Sequence, residues 1–292
     1  MCICLRDVGI IIEKTQYKPG DTVEGHVIVK CDDGFEHNGI RITFKGREHT
    51  RIVVSHGKTS SVHTDEHVYF NETVYLEEAG TMQVGERQWP FNFQFPGDLQ
   101  EMQNSYSGTN GWIEYTLEAV VELSWARDPR EKVTLDFRQT IDRKSRESQR
   151  QYAERDGYPV LDVETENNTF CLGDSIPLRF RVSNDVKIRE VRVELRSNEI
   201  AYAGKYRRNS RKKLAKQSID DEEVRRGLWM DVQFNTDESM QTTFKRPIIT
   251  NEVTLKVTLN IPWGRDESVE IPVNLGFCSS QTEKEDYDIF GF

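Results

Sequence analysis

Apolar and polar residues alternate along most of this chain, a pattern typical of β-strands that bury one face. The clearest run extends from Ile113 to Leu123, where every second residue is apolar and the residues between them are mostly Glu or Thr. Residues 89–96 place four aromatic side chains on one face in the same way. No segment shows the 3.6-residue apolar period of a helix over a dozen positions. The pattern therefore predicts an all-β protein.

One sequence phrase occurs twice and indicates a duplicated unit. In residues 17–29 and again in residues 170–182, an aromatic residue is followed by two residues, a Gly-Asp pair, Thr or Ser, and an alternating apolar strand. Gly20 and Gly173 can take the positive φ that a tight turn requires. The copies begin 153 residues apart, about the length of one domain. We therefore expect two copies of one β-sandwich in tandem.

The length of 292 residues also favours two domains, because a single hydrophobic core seldom grows beyond about 250–300 residues. A charged stretch at residues 142–157 interrupts the alternating pattern and is predicted to be a linker. It would join an N-terminal sandwich, residues 1–141, to a C-terminal sandwich, residues 158–277. Residues 278–292 form an acidic tail that ends in aromatic residues.

Composition limits the cellular environments and the classes of partner that suit this chain. A mean hydropathy of −0.68 and 30% charged residues are typical of a soluble protein. No segment approaches the about 18 apolar residues of a membrane span, and no secretion signal is evident. The five cysteines are odd in number and lack a paired spacing, so we expect reduced thiols in a cytosolic protein. The net charge of −10 argues against nucleic-acid binding.

Several motifs follow one another in an order and spacing that resemble the arrestin fold, most closely that of the alpha-arrestins, the arrestin-domain-containing branch. The resemblance is stronger over residues 8–141 than over residues 158–277. The motifs of the stronger part are Tyr17-x-Pro-Gly-Asp with Val23-Glu-Gly, the strand at residues 67–70, the aromatic strand at residues 89–96 and Gly111-Trp-Ile-Glu-Tyr.

This resemblance implies two tandem immunoglobulin-like β-sandwiches and a non-enzymatic cytosolic adaptor, cytoplasmic or peripheral at membranes and endosomes. The implied partners are membrane-protein cargo tails, clathrin-adaptor-like or ubiquitin-pathway proteins, and an anionic membrane surface. The chain contains no Pro-Pro pair. The Pro-Pro-x-Tyr motif by which many alpha-arrestins recruit ubiquitin ligases is therefore missing, and that route is not implied. The resemblance brings no cofactor.

Two other functions are open from the residues alone. A structural or carbohydrate-binding tandem sandwich would show the same alternation. A metal-dependent enzyme would need a set of ligands, and His63 and His67 are a candidate pair. In an extended strand, however, residues four apart are separated by about 13 Å, and no third ligand is evident. No nucleophile–base pair or glycine-rich phosphate loop appears, so we expect no enzyme, no metal and no cofactor.

A basic run at residues 205–216 is one candidate for a binding site. It could attach the protein to phosphoinositide-containing membrane, where each surface cation contributes about 1 kcal/mol, or receive a phosphorylated cargo tail through arginine side chains. It could also be a solvated hairpin balanced by the acidic residues 220–223. The candidate anion-binding residues are Lys205, Arg207, Arg208, Arg211, Lys212, Lys213 and Lys216.

A polar stretch at residues 56–61 predicts a long, projecting hairpin loop between two strands. The resemblance places it where arrestins carry their receptor-probing loop, which would make His56, Lys58 and His63 cargo contacts. An ordinary surface loop is the other interpretation.

The tail offers Asp288, Phe290 and Phe292, and the Asp-x-Phe pattern is similar to peptides that dock on clathrin-adaptor appendages. A flexible acidic segment with aromatic anchors suits an apolar pocket on a basic surface. The tail could instead fold back as a strand beside residues 8–12, as in beta arrestins, or simply remain solvated.

Overall fold

The computed structural model of the protein describes residues 6–97, 102–141 and 147–278. Strands make up 71% of it, and its one helical element is a 3-10 turn at Asp221–Glu223. The prediction of an all-β chain is confirmed, and the fold is a pair of tandem β-sandwiches.

Two sheets form the sandwich of the first half. The smaller sheet has the order β1-β3-β6 and consists of β1 (Arg6–Ile12), β3 (Thr22–Cys31) and β6 (Gly85–Gln94). The larger sheet has the order β2-β9-β8-β4-β5, with β7 added to β8. Its strands are β2 (Gln16–Tyr17), β4 (Phe35–His56), β5 (Thr59–Met82), β7 (Tyr106–Ser107), β8 (Gly111–Glu122) and β9 (Arg130–Phe137).

The core of this sandwich is built from the faces that the alternation predicted. The ring of Phe44 on β4 contacts three aromatic rings, with centroid distances of 4.5 Å to Phe70, 5.4 Å to Phe93 and 4.9 Å to Phe95. The four aromatic residues of the 89–96 stretch are all buried, as are the predicted inward residues of β8 from Ile113 to Val121. These predictions of buried faces are confirmed.

Two further sheets hold the second half of the chain. One has the order β11-β12-β14-β17 and consists of β11 (Gln149–Arg155), β12 (Tyr158–Thr165), β14 (Ser175–Val182) and β17 (Trp229–Asn235). The other has the order β10-β20-β19-β15-β16, with β13 on β20 and β18 on β19. Its strands are β10 (Thr140–Ile141), β13 (Thr169–Cys171), β15 (Glu190–Ala203), β16 (Tyr206–Asp220), β18 (Phe244–Lys245), β19 (Ile249–Asn260) and β20 (Glu267–Cys278).

The repeated sequence phrase forms the same turn in both halves. Gly20 has a φ of +78° and Gly173 a φ of +87°. In each copy the following Asp donates its backbone N–H to the carbonyl three residues earlier, at 3.1 Å for Asp21 and 3.2 Å for Asp174. The strands that follow, β3 and β14, bury alternate side chains.

The described chain divides into two compact units. Residues 195–214 and 243–254 belong to the first unit together with residues 1–139, a grouping that the sequence did not predict. Phe244 and Ile249 lie in the hydrophobic core of this unit, and the ring of Phe244 packs edge-on against Tyr106 at 4.9 Å. The domain boundaries proposed from the sequence stay predictions.

The prediction of a long projecting loop at residues 56–61 is wrong. β4 and β5 pair continuously up to His56 and Thr59, so that only Gly57 and Lys58 form the turn. Gly57 has a φ of +66°, and two-residue hairpin turns need a positive φ at the first central position. Backbone hydrogen bonds between strands form whether or not the side chains are apolar. A fully polar hairpin tip therefore lacks the alternating pattern by which strands are predicted, and its sequence resembles that of a loop.

The expectation of reduced thiols is wrong for Cys171 and Cys278, which form a disulfide. β13 runs parallel to the end of β20, and this pairing brings the Cα atoms of the two cysteines to 5.6 Å. They are 107 residues apart, so the sequence held no spacing signal for the pair. Cys31 is buried and outside any disulfide, whereas Cys2 and Cys4 lie outside the described residues.

Candidate functional site

The predicted basic run lies in and beside β16, the last strand in the order of its sheet. A tight turn at Gly204 and Lys205 joins it to β15, and Gly204 has the positive φ, +57°, that this turn needs. Lys216 belongs to the second compact unit and the other six cations to the first. All seven predicted side chains are exposed: Lys205, Arg207, Arg208, Arg211, Lys212, Lys213 and Lys216.

The two faces of β16 differ between residues 206 and 214. Successive side chains of a strand point to opposite faces. On the even-numbered face, which we call the inner face, Tyr206, Ser210 and Leu214 are half-buried. The odd-numbered or outer face is exposed at every position and carries Arg207, Asn209, Arg211 and Lys213.

Contacts of the inner face hold the start of β16 against the β4–β5 hairpin. The ring of Tyr206 stacks on His63, with centroids 3.7 Å apart and planes tilted by 20°. The guanidinium of Arg208 donates to the carbonyl of Val53 at 2.7 Å. The start of β16, which carries Arg208, therefore lies beside the hairpin that carries His63. The sequence placed these two residues in separate candidate sites. Lys58 is exposed in the hairpin turn.

A third contact of the inner face reaches the turn between β7 and β8. The hydroxyl of Ser210 donates to the hydroxyl of Thr109 at 3.1 Å. The basic run therefore touches the segment that precedes the Gly111-Trp motif.

The same turn is held by a buried carboxylate that sequence reasoning missed. Glu199 on β15 is only 2% exposed. Its Oε2 accepts hydrogen bonds from the Tyr106 hydroxyl at 3.1 Å and the Thr109 N–H at 2.8 Å. Its Oε1 accepts from the backbone and side-chain N–H groups of Asn110, at 2.8 and 2.9 Å. Four donors satisfy the carboxylate, which explains how a charge can be buried here.

The close fit around Glu199 depends on a glycine. A Cβ at Gly108 would lie 1.6 Å from Oε2 of Glu199, so any larger residue would displace the carboxylate. Burial, together with the adjacent Glu199 carboxylate, raises the pKa of the Tyr106 phenol. Tyr106 therefore stays neutral and donates its proton to the clamp. We call Glu199 with residues 106–110 the Glu199 clamp.

A second buried carboxylate, Glu48, lies on the inward face of β4 and is fully buried. Burial raises the pKa of its carboxyl to about 7, although the Arg246 cation acts in the opposite direction. The Arg246 guanidinium also lies over the ring of Tyr69, 5.1 Å from its centroid. Burial, and then the negative charge of Glu48, raise the pKa of Tyr69. These groups join residues 243–254 to the first unit.

A cavity of about 570 Å³ adjoins the β4–β5 hairpin and is lined mainly by charged side chains. Arg47 bridges Glu66 at 3.1 Å and Glu114 at 3.3 Å. His49 lies 3.3 Å from Glu114 and stacks on Trp112. Burial acts to raise the pKa of Glu114, but His49 and the neighbouring cations hold that pKa below its usual value. Arg47 and His49 of this cavity are therefore paired with the carboxylates of Glu66 and Glu114.

The remaining predicted site residues fall into two groups. Asp288, Phe290 and Phe292 lie outside the described residues. His63 and His67, the pair considered for a metal, sit on the continuous strand β5. In the part of the chain that the structure describes, no three His, Cys, Asp or Glu side chains are grouped to hold a metal ion.

Within residues 6–97, 102–141 and 147–278, no helix has the length and apolar character that crossing a membrane requires.

Comparison with known proteins agrees with this architecture. Residues 8–144 match the N-terminal domain of arrestin (or S-antigen), and residues 155–280 match the corresponding C-terminal domain. The chain is similar to mouse arrestin domain-containing protein 4, with 25% identity over 208 residues, which is 62% of this chain and 49% of the relative. It is similar to the human protein of the same name, with 25% identity over 206 residues and the same two coverages.

The chain spans about half the length of these curated relatives. The two domain matches nevertheless cover most of it, and the resemblance to the arrestin fold and its arrestin-domain-containing branch is confirmed. The chain belongs to the arrestin family and contains both of its domains.

Proposed function

We propose that this protein is a non-catalytic adaptor of the arrestin type, which works in the cytoplasm and holds membrane-protein cargo or receptors close to trafficking proteins. Membership of the arrestin family supports the adaptor role. The similarity to arrestin domain-containing protein 4 supports it further. The specific cargo, the trafficking partners and the cytoplasmic location are parts of this proposal.

The outer face of β16 is the observation that carries the proposed mode of attachment. Arg207 and Arg211 lie four residues apart on one face of an extended strand, so their Cα atoms are about 13 Å apart. Lys213 continues this face, and Lys205 lies exposed in the preceding turn. Guanidinium groups bind phosphate oxygens through paired hydrogen bonds. We therefore assign this face to the phosphorylated head groups of phosphoinositide lipids.

The overall negative charge means that any attraction to an anionic membrane must come from a local group of cations. A net charge of −10 opposes approach to an anionic membrane, so the attraction has to come from cations concentrated on one surface. Each such cation contributes about 1 kcal/mol near an anionic membrane. Four together are enough for measurable binding, and added salt should weaken it because exposed charges are screened.

Vesicle flotation tests the assignment. The full chain should float with phosphatidylcholine vesicles that contain phosphatidylinositol bisphosphate and should stay in solution with phosphatidylcholine alone. Changing Lys205, Arg207, Arg211 and Lys213 to Glu should abolish flotation while the variant stays folded, as a cooperative thermal unfolding transition shows. Flotation that survives this change, or that is absent in the parent protein, contradicts the proposal. Displacement only by a phosphorylated peptide would assign the face to cargo tails.

The tail residues Asp288, Phe290 and Phe292 are proposed to dock on a clathrin-adaptor-like appendage. A chain that ends after Cys278 keeps the disulfide and removes these residues. It should no longer be captured by immobilised appendage domains that capture the full chain. Equal capture of both chains contradicts this part of the proposal.

A further inference from the structure

Ser210 stands in the middle of the basic run, in the sequence Arg207-Arg208-Asn209-Ser210-Arg211-Lys212. Arginines two and three residues before a serine suit protein kinases whose substrate groove is lined with carboxylates, because each guanidinium pairs with an acidic side chain. The proposed anion site uses the cations around Ser210 and gives its hydroxyl no part in anion binding.

The structure presents this segment in the form a kinase groove accepts. β16 is extended and lies at the end of its sheet order. The three residues on each side of Ser210 are exposed. Ser210 itself is half-buried, and its hydroxyl donates to the Thr109 hydroxyl at 3.1 Å. One such hydrogen bond lowers the population of the unbonded rotamer of Ser210 only about fivefold, so the hydroxyl is readily released to a kinase.

We propose that Ser210 is a phosphorylation site that switches off anion binding by the basic run. The Ser210 oxygen attacks the γ-phosphorus of ATP, and the bond between that phosphorus and the β–γ bridging oxygen breaks. ADP leaves, and the hydroxyl proton passes to the catalytic base of the kinase. The effect on binding rests on the proposed function of the outer face, whereas the modification itself does not.

The first consequence is electrostatic. A phosphoserine adds a charge of about −1.5 to −2 and three acceptor oxygens. Arg208 and Lys212 flank Ser210 on the inner face of the strand, within reach of these oxygens. The outer cations Arg207 and Arg211 lie on the neighbouring residues, well within the screening length of about 8–10 Å. The phosphate therefore neutralises part of the run from within, and vesicle affinity should fall about tenfold.

The second consequence concerns the Glu199 clamp. Thr109, which accepts the hydrogen bond from Ser210, donates its own N–H to Glu199 at 2.8 Å. A phosphate on Ser210 places a second negative group next to this buried carboxylate. Like charges at short distance repel and loosen a segment. Amide hydrogen exchange in residues 106–111 should therefore rise when Ser210 is phosphorylated.

The test uses the full chain, MgATP and the catalytic subunit of cyclic-AMP-dependent protein kinase, followed by mass-spectrometric site mapping. Phosphate should appear on Ser210 and be absent from that peptide in Ser210→Ala. Ser218→Ala is the matched control, because Ser218 is exposed on the same strand but follows Ala215, Lys216 and Gln217 rather than two arginines. The Ser218→Ala variant should be phosphorylated on Ser210 to the same extent as the parent protein.

Two readouts then separate this inference from the proposed function. Phosphate found only elsewhere, for example on Ser145 after Arg143 and Lys144, overturns the assignment of the site. Unchanged vesicle affinity of the phosphorylated protein overturns the switch, and unchanged exchange in residues 106–111 overturns the loosening of the Glu199 clamp. If the unmodified protein does not bind vesicles, the proposed function fails. Site mapping then still decides whether Ser210 is phosphorylated, and hydrogen exchange decides whether the phosphate loosens the Glu199 clamp.

Discussion

β8 and β16 are two long strands of the same chain that are held in place by different forces. β8 has twelve residues, none of them exposed, and pairs with β4 on one side and β9 on the other. β16 has fifteen residues, of which only Ile219 is buried. Hydrophobic burial fixes β8, whereas pairing with β15, a ring stack, two side-chain hydrogen bonds and a tight turn fix the first half of β16. A strand that contributes little to the core can carry a dense positive charge without unfolding the protein.

The largest expected effect compares one leucine on each strand. Leu117 on β8 is fully buried, so Leu117→Ala should reduce the free energy of unfolding by about 2–5 kcal/mol through lost burial and the cavity left behind. Leu214 on β16 is half-buried, and Leu214→Ala should cost less than about 1 kcal/mol. Urea unfolding followed by circular dichroism measures both. Equal losses would mean that β16 is part of the core after all.

The next effect concerns pH and the buried carboxyl of Glu48. Its pKa is raised from 4.5 to about 7 by burial, so the folded state holds a proton that the unfolded state has already released between these values. Stability from this group is full below about pH 4.5 and is lost as the pH rises through about 7. The loss amounts to about 3 kcal/mol, since one pKa unit is worth 1.36 kcal/mol.

The variant Glu48→Gln isolates this contribution, because the amide does not titrate. Its free energy of unfolding, relative to that of the parent, should increase by about 3 kcal/mol between pH 4.5 and pH 8. Urea unfolding at several pH values gives the difference. A difference that stays constant over this range shows that Glu48 is ionised in the folded protein.

A smaller effect tests the contact that holds the inner face of β16. Gly108→Ala pushes a methyl group into the Glu199 carboxylate and should cost about 1–3 kcal/mol, the range for disturbing a buried hydrogen-bonded group. Gly9→Ala is the matched control, because a Cβ there meets no atom within 4 Å. It should leave stability nearly unchanged. Similar melting temperatures for the two variants would contradict the close fit described for the Glu199 clamp.

The alternating pattern predicted most of the core but not the groups that organise the site. Inward faces such as that of β8 follow from apolar residues at every second position. Glu48 and Glu199 also occupy inward positions of alternating strands, and a lone carboxylate at such a position is a signal for a buried partner. The partners themselves, Arg246 for Glu48 and the 106–110 turn for Glu199, are distant in the sequence. Only the folded chain identifies them.

The division of the basic run into two faces was likewise invisible in the sequence. Residues 205–216 contain seven cations, and composition alone does not distinguish those on one face from those on the other. Tyr206 and Arg208 share the inner face of β16 and contact His63 and Val53. These two residues belong to a hairpin that the sequence pattern predicted as a loop. We therefore place the proposed anion site on four of the seven predicted residues, Lys205, Arg207, Arg211 and Lys213.

The most direct test of this account compares two neighbouring arginines. Arg207 is on the outer face, whereas the guanidinium of Arg208 already donates to the carbonyl of Val53. Titration calorimetry with phosphatidylinositol bisphosphate vesicles should show that Arg207→Gln weakens binding about fivefold, the share of one surface cation. Arg208→Gln should weaken it clearly less. Equal losses, or a larger loss for Arg208→Gln, would contradict the assignment of anion binding to the outer face of β16.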